Sequence, residues 1–137
     1  MSIFSAIDIS SSGMTAQQLR VDIISNNIAN ANTTQTPEGG PYRKEIPIFA
    51  EQFKNTSNGV EPAGVAVVKI AQDNSPFKLV YDPSNPAANK DGYVEMPNVN
   101  VLREMVDMID AQRNYEANAT VINDAKTMAN AALQIGK

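Results

Sequence analysis

Two long segments, one at each end of the chain, repeat their hydrophobic positions every seven residues. From the N-terminus Ile7, Met14, Val21 and Ile28 recur at that spacing, interleaved with Ile3, Ser10, Gln17 and Ile24, so an apolar stripe follows one face of a helix. Toward the C-terminus Val101, Met108, Tyr115, Ile122 and Ala129 interleave with Met105, Gln112, Ala119, Lys126 and Leu133 in the same way. Asparagine tolerates the left-handed conformation that ends helices, so the dense run Asn26-Asn27-Ile28-Ala29-Asn30-Ala31-Asn32 places the first stop near residues 30–32. Pro97 blocks earlier growth of the second helix, Asn98 or Asn100 is positioned to cap it, and Glu104 in its first turn complements the helix dipole. At 1.5 Å per residue the two arms reach roughly 40 Å and roughly 50 Å.

Between them the pattern changes character. Thr33 to Pro41 is a turn-rich loop; Tyr42 to Phe53 alternates weakly through Ile46 and Ile48, with Pro47 confining it to a sheet edge. Lys54 to Gly59 reads as a second polar loop. The clearest strands are Val65 to Ile70 and Phe77 to Tyr81, and the intervening Asp73-Asn74-Ser75-Pro76 predicts that they pair as a hairpin. Three turn signals, Asp82-Pro83, Asn85-Pro86 and Asp91-Gly92, lead to an extended Tyr93 to Met96. The expected fold is therefore mainly α with a small β element: a helical segment over 1–32, a loop and hairpin region over 33–97, and a helical segment over 98–137, with the terminal helices pairing as a coiled coil.

The middle is too small to cover both stripes. Ser10, Gln17, Gln112, Ala119 and Lys126 at seam positions also make each heptad less apolar than a leucine zipper, while ordering the backbone costs about 1–2 kcal/mol per residue. An isolated subunit is thus expected to hold its arms loosely, with order completed by other helices. Periodicity alone leaves two readings open: an antiparallel pair forming the core of a small α+β domain, or stripes that await other subunits.

Composition narrows the chemistry. Among 137 residues there are 11 Lys and Arg against 15 Asp and Glu, a net charge of -4, and no basic cluster denser than Arg43-Lys44; nucleic acid and anionic membrane are not expected partners. The absence of histidine and cysteine removes the commonest general base, thiol nucleophiles, zinc and haem ligands and any disulfide framework. No cofactor or metal is expected. Asp73, Asp82, Asp91 and Glu95 leave carboxylate chemistry formally open, without a nucleophile motif or phosphate-binding loop to support it. No apolar run approaches the length of a membrane span, and the first positive side chain is Arg20, so no cleaved secretory signal is expected.

Ala29-Asn30 with Thr33, closing the first helix, resembles the signature of the flagellar rod, hook and hook–filament-junction family, which continues into a Gly-Tyr-x-Arg element. Here that element is Gly40-Pro41-Tyr42-Arg43, with an extra proline and an insertion from Thr34 to Gly39. Asp91-Gly92-Tyr93-Val94, Pro97-Asn98-Val99-Asn100 and the stretch from Met105 to Asn118 resemble the family's C-terminal helix and its approach. The resemblance implies a structural subunit of the proximal rod in the bacterial flagellar basal body, not an enzyme. It implies contacts with other copies of itself, with other flagellar rod proteins and with the flagellar type III export apparatus, which would carry it without a cleaved signal. The assembly stripes would then be Ile3, Ile7, Met14, Val21, Ile24 and Ile28 with Val101, Met105, Met108, Tyr115, Ile122 and Leu133, and Tyr42 and Arg43 would meet a neighbouring subunit. The rival functions are a soluble coiled-coil adaptor, which heptads alone fit equally well, and another short rod subunit of the same family.

Overall fold

The computed structural model describes residues 3–56 and 59–135. The element order is α1 (Ile3–Ala29), β1 (Glu45–Thr56), β2 (Gly59–Gln72), β3 (Lys78–Tyr81), β4 (Tyr93–Met96) and α2 (Val101–Ile135). The fold is mixed α/β, two helices with two small antiparallel two-stranded sheets, and its β part is larger than expected.

Strand pairing differs from the sequence expectation. Val65 to Ile70 pairs with β1, in the register Glu45 to Gln72 through Thr56 to Gly59, and Lys78 to Tyr81 pairs with β4. Of the residues that read as loop, Lys54 to Thr56 and Gly59 extend the ribbon, while Ser57 and Asn58 lie outside the described residues. The segment between Gln72 and Lys78 turns a corner instead of a hairpin, because it is held from outside. Arg43 Nη1 donates to the carbonyls of Asp73 and Ser75, and Asn98 Nδ2 donates to the same Asp73 carbonyl. The Arg43 guanidinium also lies 4.3 Å from the Phe77 ring centre, a cation–π contact. Two residues of β2, Ala63 and Val68, have no counterpart on β1 and form bulges that bend the ribbon.

Along its length the ribbon approaches α1 closely at Ser12. Ser12 Oγ donates to the Ile9 carbonyl at 2.6 Å and accepts the Val65 N–H at 3.1 Å. Gly64, at φ +117°, permits this: a Cβ there would overlap Ser12 Oγ, and a side chain would strain the backbone.

α1 ends at Ala29, and Asn100 caps α2 by accepting the Arg103 N–H at 3.2 Å. The helices run antiparallel: Asn27 meets Glu104, Arg20 meets Asp107, and Gly13 faces Asn118. Of the described elements α2 packs against α1 alone, whereas α1 also carries the β1–β2 ribbon. The buried positions follow that arrangement: Ser10, Ala16, Ile23, Ile24 and Asn27 on α1, and Glu104, Ala111 and Ala125 on α2.

Candidate assembly surface

The helix seam is centred on small and polar residues. Glu104, Ala111, Asn118 and Ala125 form a seven-residue register against α1, with Met108, Tyr115, Ile122 and Ala129 half-buried beside it. This corrects half of the α2 pattern drawn from the sequence. Gln112, Lys126, Met105 and Leu133 are exposed, because close approach of the helices selects small side chains for the centre of contact. At Gly13 an added Cβ would come within 2.9 Å of the Asn118 amide. Gln17 Oε1 is buried with no hydrogen-bond partner among the described residues, so the seam carries a polar cost as well as little apolar gain.

The stripe residues therefore divide. Ile24 is 4% exposed and packed within the subunit, so in this fold it offers nothing to a neighbour. Ile7, Met14, Val21, Ile28, Met108, Tyr115 and Ile122 are half-buried; Val101, Met105 and Leu133 are exposed. Ile3 opens α1, and its side chain lies outside the described set. The first turns of α2 carry an outward apolar ridge: Leu102, Met105, Val106 and Ile109 stand exposed at i, i+3, i+4 and i+7, and sequence reading passed over Leu102, Val106 and Ile109 because they sit off the chosen heptad.

The motif residues close one end of the subunit. Asn30 Nδ2 donates to the Asn26 carbonyl and to Asn26 Oδ1, and Thr33 Oγ1 donates to Asn30 Oδ1 at 3.2 Å, which fixes the turn after Ala29. Tyr42, expected against a neighbour, instead donates its hydroxyl to Asn27 Oδ1 at 2.9 Å, and Arg43 is engaged with Asp73, Ser75 and Phe77 of its own chain.

Asn27 is the hub. It is 1% exposed, its Oδ1 also accepts the Glu45 N–H at 2.9 Å, and its Nδ2 donates to the Glu45 carbonyl at 2.9 Å and to Glu104 Oε2 at 3.1 Å. Glu104, equally buried, is ion-paired through its other oxygen with Lys44 Nζ. Asn98 completes the ring by accepting the Lys44 N–H at 2.8 Å. Burial, followed by the nearby Glu45 and Glu104 carboxylates, pushes the Tyr42 hydroxyl from 10.0 up to about 12. This latch joins the end of α1, the start of β1 and the start of α2. Nothing in the sequence marked Glu104 as buried except its place in the 104, 111, 118, 125 series.

Known proteins are similar to this chain in sequence along nearly its whole length. Residues 7–35, which are α1 and its turn, match the family described as flagella basal body rod protein; residues 90–135, which hold β4 and α2, match the family described as flagellar basal body rod FlgEFG protein C-terminal. The chain is 51% identical to the flagellar basal-body rod protein FlgC of Borreliella burgdorferi, with 98% of each chain covered. It is 43% identical to FlgC of Bacillus subtilis and 39% identical to FlgC of Escherichia coli O157:H7, with both chains covered completely in each case. The chain belongs to the FlgC family of flagellar basal-body rod proteins. The two family matches contain the latch residues Asn27, Asn98 and Glu104 and omit the β1–β2 ribbon, which the full-length FlgC relatives span.

Proposed function

We propose that this chain is a structural subunit of the proximal rod, built into a tube by the packing of its terminal helices against those of neighbouring subunits. The observation that carries this reading, beside full-length kinship with FlgC, is the exposed apolar ridge on α2: a helix that packs on α1 alone within the subunit keeps Leu102, Met105, Val106 and Ile109 for another surface. In the tube the helix pair acts as a coiled coil and transmits torque around a channel for later subunits. The partners are further copies of the chain, other rod proteins and the flagellar type III export apparatus. A seam of Ser10, Gly13, Gln17, Ala111, Asn118 and Ala125 supports passage in an unfolded state without a cleaved signal, since little apolar contact has to be broken.

The test is complementation in a flagellated host lacking its own copy. The tagged chain is expected in purified basal bodies, with swimming restored. A chain that is made at normal level but stays in the cytoplasm and is absent from basal bodies would instead support the adaptor.

A further inference from the structure

The outer ridge of α2 has a counterpart elsewhere on the same subunit. On the open flank of α1 a shallow groove of about 530 Å³ is lined by Met14, Leu19 and Tyr115, with Ser11, Thr15, Gln18 and Asp22 along its rim. Its floor is apolar, and its one charged lining residue is an acid. The ridge, exposed by 77% at Leu102, 51% at Met105, 59% at Val106 and 47% at Ile109, continues one turn further to Arg113. Among the described residues ion pairs join Arg20 to Asp107 and Lys44 to Glu104, and Arg113 belongs to neither.

We propose that the α2 ridge of one copy seats in the α1 groove of the next, parallel to its α1, with Arg113 meeting Asp22. This rests on the rod reading and names the contact behind it. The lengths agree: Leu102 to Arg113 and Ser11 to Asp22 both cover twelve residues, with roughly 16 Å of helix between their ends. Charge agrees as well, a cation at one end of the ridge and an anion at the matching end of the rim. Ridge and groove lie on different faces of one subunit, so each copy gives one contact and receives another; such a heterologous contact builds a ring or an open helical array instead of closing as a dimer. The occupant is therefore a second copy of this chain.

The chain has no cysteine, which makes cross-linking direct. Thr15→Cys and Val106→Cys, combined in one chain and incorporated into basal bodies, are expected to give an oxidised ladder of chain multimers that neither single variant gives. Rods that contain the double variant without a ladder would overturn this contact and leave the rod role intact, as would a cross-link from these positions to a different rod protein. A wild-type chain absent from basal bodies would overturn the rod reading itself. Asp110 and Glu116 flank Arg113 on α2, so a second experiment isolates the proposed pair. Arg113→Asp and Asp22→Arg are each expected to lower incorporation at least tenfold while secretion persists, and the two together to restore it; failure of the double exchange to restore incorporation would overturn the pairing.

Discussion

The two ends of the helix seam are held by opposite kinds of contact. At the latch end Asn27, Lys44 and Glu104 are directional, buried and mutually paired, so only one arrangement of three chain segments satisfies them. Along the remainder, Gly13, Ala111 and Ala125 bring the backbones close without specifying much about how they slide. A buried charge pair is weak evidence for stability, because its desolvation offsets most of the attraction. Its value here is to set register where the small-residue seam does not. Specificity is concentrated at one end, and adaptability is left to the rest.

The strongest way to break this contrast is Lys44→Met, which leaves the Glu104 carboxylate buried without its cation. A loss of about 3–5 kcal/mol is expected from urea unfolding, and pairing it with Glu104→Met should recover much of that loss. A cost below about 1 kcal/mol for the single variant would show that the latch is open to water and sets nothing. Gly64→Ala tests the ribbon's attachment away from the latch. The positive φ and the overlap with Ser12 Oγ predict a loss of about 1–3 kcal/mol in the same assay, and adding Ser12→Ala should relieve only the overlap with Oγ, leaving the 2.9 Å approach to the Ser12 Cβ and the backbone strain.

Alkali sharpens the comparison without a mutation at the ion pair. Tyr42 ionises near 10.0 when unfolded and at about 12 in the fold, so the stability it lends is complete below pH 10 and is lost as pH rises from there through about 12. Unfolding free energy should fall across that window, and Tyr42→Phe should flatten the slope. The smallest effect is expected at the partly exposed ion pair that lies one turn along α2 from the latch. Arg20 and Asp107 meet at 3.5 Å with side chains 27% and 38% exposed, so Arg20→Ala should change stability by less than about 0.5 kcal/mol, within the range of screened surface pairs. A cost above about 1 kcal/mol there would remove the distinction between the two ends.

Both helices were legible in the sequence because a seven-residue repeat over 27 and 35 residues is a long signal, with a clear stop near Asn30 for the first and a clear start at Asn100 for the second. Strand pairing was not. Adjacency favoured joining Val65–Ile70 to Phe77–Tyr81, whereas the true partner, β1, was disguised by Pro47 and the polar residues from Glu51 to Thr56. The contacts of Arg43 and Asn98 that hold the corner at Asp73 come from 30 and 25 residues away, beyond any local pattern. The phase of α2 was misjudged for a related reason. Large apolar side chains mark a stripe more visibly than alanines do, yet the alanines form the contact and several of the large residues face outward. Glu104 was read for its charge near a helix end; its burial depends on Lys44 and Asn27, which only the fold brings to it.

The two bulges in the β1–β2 ribbon matter most for chains that meet at high concentration. A two-stranded ribbon has two unpaired edges, each able to template a strand from another molecule, which is the geometry of runaway aggregation. Here Pro47 removes one donor from β1, Ser12 occupies the Val65 N–H on β2, and the extra residues Ala63 and Val68 bend the strand so that a straight incoming edge finds no long matching ladder. Growth by strand addition is thereby disfavoured.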